Sequence, residues 1–131
     1  MYNNKRLIQA MLRDNFSCFV AKAFSTVLPA APYLHNWHLD IINNKLEQIQ
    51  KREITRLIIN IPPRYLKSIC VSVAWPAWLL GQDPTKRIMV ASYSQALSNK
   101  HSQDCCRVSR ILTPSAINNS KHFDPSEFQA F

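Results

Sequence analysis

Lys67 and Ser68 are the residues of this chain whose types and positions could do chemistry. They follow an apolar, β-favouring run and a sharp Pro62-Pro63 turn, and a second apolar segment follows them. A strand, a loop and a helix in that order bind phosphate when the loop aims backbone N–H groups and the positive end of the helix at an anion. Lys67 would then reach the outer phosphates of a nucleotide, and Ser68 would hold its metal ion.

The spacing departs from the usual phosphate-loop pattern, in which one glycine begins the loop and a second glycine precedes the lysine. Ile61 and Leu66 occupy those two positions here. Pro62 and Pro63 have no N–H group, so this loop offers a phosphate fewer backbone donors than a glycine-rich loop does. The residues alone leave two alternatives open: a phosphate-binding loop, or a tight turn before a helix whose first turn holds a lysine and a serine.

Four stretches in a consistent order resemble the ATPase part of the large terminase subunit of tailed phages and prophages. They are NWHLDIINNKLEQI at 36–49, IINIPPRYLKS at 58–68, AWPAWLLGQDP at 74–84 and RIMVASYSQAL at 87–97. In many members of that family the loop reads Pro-Pro-Arg-x-Gly-Lys-Ser, and Leu66 stands at its glycine position. The resemblance implies the N-terminal fragment of a motor that uses ATP and Mg²⁺ to package viral DNA into a capsid.

The same resemblance implies roles for particular residues. Arg64 and Lys67 would be catalytic, with the planar guanidinium of Arg64 stabilising the transferred phosphate, and Ser68 would bind Mg²⁺. The residues implied to contact the nucleotide are Trp37 and His38 on the adenine side and Pro63, Arg64, Tyr65, Leu66, Lys67 and Ser68 in the loop. The alternative for Arg64 is a surface arginine paired with a carboxylate.

The sequence lacks part of a hydrolysing site. Phosphoryl transfer needs a carboxylate that holds the metal and a group that activates water, and no apolar strand ending in Asp-Glu follows the loop. At 131 residues the chain is also too short for the ATPase and nuclease halves of such a protein together. We therefore expect a fragment that binds ATP without hydrolysing it. Two alternatives stay open: a non-enzymatic basic module that binds nucleotide or DNA, and a decayed, inactive prophage remnant.

The net charge of +8, from 16 Lys and Arg against eight Asp and Glu, favours a polyanionic partner such as double-stranded DNA. The basic residues are spread evenly along the chain, so ordinary solvated faces are the alternative. The resembling family adds a small terminase subunit and the capsid portal as partners.

Cysteine usage and hydropathy indicate the compartment. Cys18, Cys70, Cys105 and Cys106 lack a Cys-x-x-Cys spacing, which favours buried, reduced thiols. The longest apolar stretch, 69–80, is about half of a membrane span and contains a proline. No N-terminal signal pattern is present. We expect a cytoplasmic location in a bacterial host and no membrane contact.

Periodicity predicts several helices. Apolar residues recur at three- and four-residue steps over 16–27 and again over 39–49, and a short amphipathic helix is predicted at 3–14. A further helix starts at Lys67, and Pro76 should kink it or end its first segment.

Polar residues mark two more local features. Ser94 is predicted to cap a last helix that runs to about residue 112. His35 and His38 are spaced as a possible metal pair, but a structural role is favoured because no further ligand set joins them.

Residues 55–61 and 87–93 are predicted as β-strands. The first is almost entirely apolar after Arg56, as expected for a central parallel strand buried on both faces. With the helix between them, the two strands would form a right-handed βαβ unit. The predicted fold class is α/β, an incomplete doubly wound parallel sheet of the P-loop NTPase type with an N-terminal helical segment. Residues 1–35 would be that segment, and 36–131 a partial P-loop ATPase domain ending in loop and tail.

Overall fold

The computed structural model describes residues 2–112, with side chains from residue 4 onward. The regular structure in this range is helical: α1 (Tyr2–Asp14), α2 (Phe16–Val27), α3 (Trp37–Gln50), a π-helix (Ile69–Ala74), α4 (Trp75–Gln82) and α5 (Gln95–Ser109). The predicted loop and tail after residue 112 lie outside the described part of the chain. No helix in the described range is long and apolar enough to cross a membrane.

The predicted α/β fold is wrong. No β-strand is present among residues 2–112, so neither the doubly wound parallel sheet nor the βαβ unit forms there. Residues 55–61 and 87–93 connect helices without regular structure. No main-chain hydrogen bond joins either stretch to another described residue. A strand is stable only when it pairs with a neighbour, and apolar, β-branched composition does not supply that neighbour.

The hydrophobic core is built around α2. Phe16, Phe19, Val20 and Ala23 are completely buried, on the helical face that the sequence predicts. α2 packs against α1, α3, the π-helix, α4 and α5. A single hydrophobic cluster therefore joins the two N-terminal helices to the helices that follow residue 36.

The ends of α2 follow from its sequence. Asn15 precedes the helix, and its side-chain oxygen accepts the N–H of Cys18 at 3.0 Å, which satisfies a donor that the first turn leaves free. After the helix, Pro29 and Pro32 prevent its continuation. The predicted stop of this helix is confirmed.

α3 buries the face that the periodicity predicts. Leu39, Ile42 and Leu46 lie in the core with Asn43, whose Nδ2 donates to Ser17 Oγ at 3.1 Å. The other face of α3 is open, and that face borders the candidate site.

The helical run over residues 67–82 changes to a π-helix immediately before Pro76. Proline has no N–H group, and in a regular α-helix its ring would collide with the carbonyl of Ser72, four residues earlier. In the π-helix the N–H of Trp75 donates to the carbonyl of Cys70, five residues earlier. The wider turn makes room for the proline ring, and the π-helix ends at Ala74, after which α4 begins with Pro76 in its first turn.

Trp78 and Gly81 pack α4 against its neighbours. Trp78 Nε1 donates to the carbonyl of Leu12 at 3.1 Å, and its ring centroid lies 5.0 Å from that of Phe16. Gly81 is the single glycine of the chain, and a Cβ there would lie 2.6 Å from Cδ1 of Leu112. This glycine therefore permits close packing rather than a turn.

Ser94 caps α5, as predicted, because its Oγ accepts the N–H of Leu97 at 3.3 Å. Asp104 is buried on this helix, and its carboxylate pairs with Lys100 at 2.6 Å. The helix ends slightly earlier than the sequence predicts.

Candidate nucleotide-binding site

Residues 62–68 form a loop that ends in the first turn of the long helical run. Lys67 and Ser68 have helical geometry and exposed side chains. The N–H of Cys70 donates to the carbonyl oxygen of Leu66 at 2.9 Å and begins the helical hydrogen-bond ladder. The N–H groups that precede this bond have no partner within the helix, and such groups carry the partial positive charge that attracts anions.

Two residues of this loop hold a backbone conformation that glycine normally adopts. The backbone angle φ is +70° at Arg64 and +60° at Leu66, where a side chain costs about 1–2 kcal/mol. Leu66 is also the residue at the second glycine position of the phosphate-loop pattern. The loop therefore has a glycine-type backbone where that pattern has a glycine.

A cleft of about 670 Å³ lies beside the loop, between α3 and residues 57–62. Its volume falls in the range of roughly 300–1,000 Å³ that small-molecule sites occupy. Most of its lining is apolar, and the full set is Asn36, Trp37, His38, Ile41, Ile42, Lys45, Leu57, Ile58, Ile59, Asn60, Ile61, Pro62 and Tyr65.

Trp37, His38 and Tyr65 form the ring-bearing part of the cleft wall. The ring of His38 lies 5.3 Å from that of Tyr65, edge to face at 73°, and 6.3 Å from that of Trp37. Trp37 is 71% exposed, so its ring is accessible to a planar ligand. His38 Nε2 is shielded from solvent and has no hydrogen-bond partner among the described residues. The accessible feature of this wall is therefore stacking surface, since the unpartnered nitrogen of His38 is buried.

The structure brings three of the residues predicted for the site into one cleft. Tyr65, from the loop, lies in the same wall as Trp37 and His38, the two residues predicted on the adenine side. The other five predicted residues do not line the cleft. They are the loop residues on either side of Tyr65: Pro63, Arg64, Leu66, Lys67 and Ser68.

The cations at this site have no carboxylate partners in the described part of the chain. None of the ion pairs formed there involves Arg64, Lys67 or Lys45. Lys45 Nζ donates to Gln48 Oε1 at 3.0 Å. The alternative role for Arg64, a surface arginine paired with a carboxylate, therefore finds no partner among these residues, and the positive charge is available to an anion.

The described residues do not form a metal site of their own, because no three His, Cys, Asp or Glu side chains among them are grouped to hold an ion. His35 does not pair with His38: its Nε2 lies 2.9 Å from Oδ2 of Asp40, while His38 contacts Tyr65. The Ser68 hydroxyl is an oxygen ligand of the kind that Mg²⁺ accepts. An ion held there would take its remaining ligands from phosphate oxygens and water.

Sequence reasoning missed Ile41, Lys45 and Asn60 as cleft residues. Ile41 and Lys45 follow His38 by three and seven residues, so the helical repeat already placed all three on one side of α3. Asn60 was missed because residues 55–61 were predicted as a strand buried on both faces, which left no side chain of that segment to line a cleft.

The buried thiols lie outside the cleft and are unsuited to nucleophilic chemistry. Burial raises the pKa of Cys70 and of Cys105 to about 12, so both stay protonated at neutral pH. All four cysteines are free thiols. The prediction of buried, reduced thiols is confirmed for Cys70 and Cys105, whereas Cys18 and Cys106 are half-buried.

Comparison with known proteins assigns no family to this chain. No family model, no characterised protein and no solved structure matches it. The resemblance to large terminase subunits stays a hypothesis that depends on the four sequence stretches, and the site must be argued from its own geometry.

Proposed function

We propose that this chain binds ATP, with the phosphates at residues 63–68 and the base in the adjoining cleft, as the nucleotide-binding part of a terminase-type protein. The exposed ammonium of Lys67 would contact the outer phosphates, because it lies in the first helical turn with no carboxylate partner nearby. The first-turn N–H groups would donate to the same anion.

The observation that carries the proposal is the positive φ of Leu66. In a tight turn before a helix, no anion is needed and a β-carbon-bearing residue would normally avoid this conformation. In a phosphate-binding loop, the conformation turns main-chain N–H groups toward the ligand, which is the reason for a glycine there. In this loop Leu66 holds that backbone geometry at an energetic cost that a glycine would not have.

The base would lie against the exposed ring of Trp37 and the ring of Tyr65. A flat heterocycle stacks favourably on such rings, and the apolar side chains of the cleft would exclude water from it.

Hydrolysis is not part of the proposal for the described residues. Arg64 would stabilise charge on the phosphates, and Ser68 would contribute one oxygen to a Mg²⁺ ion that the nucleotide carries. No group of carboxylates completes a metal site among residues 4–112. We therefore expect bound ATP to remain intact.

The wider role follows from the resemblance. A terminase-type ATPase acts on double-stranded DNA together with a small terminase subunit and the capsid portal, and the net charge of +8 suits a DNA partner. The alternatives are a basic module that binds nucleotide or DNA without turnover and an inactive remnant.

Titration of the full chain with fluorescent ATP in the presence of Mg²⁺ tests the proposal. The Lys67→Ala variant should bind about ten-fold more weakly or worse, because a charge-assisted contact to phosphate contributes about 1.5–3 kcal/mol. Lys86→Ala is the matched control, since Lys86 is also exposed but lies outside the loop and the cleft. Equal affinities in all three proteins would reject the site, and absence of any binding would favour the inactive remnant.

A further inference from the structure

Residues 87–93 form an extended segment whose main chain is unpaired within the described part of the chain. Their side chains alternate between exposed and half-buried, which is the two-residue period of an extended chain. Met89 is 81% exposed and Tyr93 is 93% exposed, whereas Ile88 packs against the core. The main-chain groups of the segment bond to no other described residue. An extended chain of this kind is a template for a second extended chain.

The segment lacks the features that usually protect such an edge. Residues 87–93 contain no proline, and their single charge, Arg87, is at one end. The other extended segment, 56–61, also has a single charge at one end, but Pro62 and Pro63 follow it directly and its exposed side lines the cleft. Residues 87–93 are therefore the better site for pairing.

We propose that residues 88–92 pair with the same residues of a second copy of this chain, antiparallel and about a two-fold axis at Val90. In this register Ile88 lies opposite Ser92 of the second copy, and Met89 lies opposite Ala91. Exposed side chains stay together on one face, and half-buried side chains stay on the other. A slip of one residue would mix the two sets, whereas a slip of two residues would not. Among the registers that keep the sets apart, the axis at Val90 is the one that brings Arg87 opposite Tyr93.

Charge selects the antiparallel direction. At each end of the pair, Arg87 comes beside Tyr93 of the second copy, and a guanidinium is attracted to the face of a phenol ring. The two Arg87 side chains are then about 20 Å apart, at about 3.4 Å per residue. That separation exceeds the Debye length of about 8–10 Å at physiological salt. A parallel pair would place the two arginines side by side.

The exposed surface of the segment sets the expected strength. A buried aromatic side chain removes roughly 150–250 Å² from water, so the two Tyr93 side chains contribute about 300–500 Å². This is well below the roughly 1,200 Å² of a standard stable interface. We therefore expect a weak, reversible dimer, which a search for dissociation constants between about 1 μM and 1 mM would detect.

Sedimentation equilibrium of the full chain over that concentration range tests the proposal. We expect a monomer–dimer equilibrium that the Met89→Lys/Tyr93→Lys variant weakens ten-fold or more. Leu34→Lys is the matched control, because Leu34 is 76% exposed elsewhere on the surface, and it should dimerise like the unmodified chain. Helical circular dichroism, unchanged in both variants, shows that the fold is intact. A monomer at every concentration, or equal weakening by the control, overturns the proposal.

Disulfide trapping tests the register. With Cys18 and Cys106 replaced by serine, Met89→Cys and Ala91→Cys proteins are mixed and oxidised. In an equal mixture, random cross-linking makes about half of all disulfide dimers mixed, so the two-fold axis at Val90 predicts that mixed 89–91 dimers are well above one half. A predominance of 89–89 dimers contradicts the register, and capture of an extended peptide from another protein by a chain that stays monomeric contradicts the choice of partner.

Discussion

The helices and the two extended segments use apolar residues in opposite ways. Phe19 on α2 has no exposed surface, whereas Ile58 and Met89 on the extended segments are 86% and 81% exposed. A helix satisfies its main-chain hydrogen bonds internally and needs a partner only for one face. An extended segment needs a neighbour for its main chain as well. The helices therefore bury their apolar faces in the core, whereas the extended segments leave apolar side chains in solvent because their main chains have no neighbour to pair with.

Truncation of one apolar side chain in each region should give the largest difference in the free energy of unfolding. Phe19→Ala should lower the free energy of unfolding by about 3–5 kcal/mol, because it leaves a cavity at the centre of the core. Ile58→Ala should change it by about 0.5 kcal/mol or less, since its side chain is already in water. Urea denaturation followed by circular dichroism measures both. Comparable losses would mean that residues 56–61 are packed in a way that contradicts the open cleft.

Substitutions at the starts of two helices should show a smaller difference in the free energy of unfolding. Ser94→Ala removes a cap that bonds the N–H of Leu97 and should destabilise the chain by about 1 kcal/mol. Asn36→Ala should cost less, because the Asn36 side chain makes no capping hydrogen bond. The same denaturation series compares the two variants. A larger effect at Asn36 would show that its side chain does cap α3 in solution.

The helices could be predicted from the sequence because their signals are local. The repeat of Phe16, Phe19, Val20 and Ala23 needs no knowledge of the rest of the chain to indicate one buried face. Ser94 indicates a helix start for the same reason, since its capping bond spans only three residues. These elements are confirmed.

The strands were predicted wrongly because pairing is not a local property. Residues 87–93 have the composition of a strand, but composition does not tell whether a neighbour is present. The positive φ of Leu66 could not be predicted from the sequence either, because a leucine normally avoids that conformation. In the site, the resemblance selected Trp37 and His38, while the contact between His38 and Tyr65 became visible only in the structure.

The stability of the helical core should also fall in acid. Burial, and then the charge of Lys100, hold the pKa of His101 below its ordinary value, with Asp104 opposing. An unfolded chain binds the proton near pH 6.5, so the folded state loses stability as pH falls through that value. The loss levels off below the lower, folded pKa. Unfolding in urea at about pH 7.5 and about pH 5.5 should show this decline, and His101→Asn should reduce it. An equal decline in the variant would assign the effect to other groups.

If the proposed function is right, Leu66 occupies the glycine position of a phosphate-binding loop. ATP titration of the Leu66→Gly variant tests it most directly, with Arg52→Gly as the control. Arg52 shares the positive φ of +60° but lies at the end of α3, so its replacement relieves backbone strain without reaching the loop. We predict that Leu66→Gly tightens ATP binding about three-fold or more, which is about 0.7 kcal/mol, while Arg52→Gly leaves it unchanged. Unchanged affinity in Leu66→Gly, or the same gain in Arg52→Gly, would contradict the account.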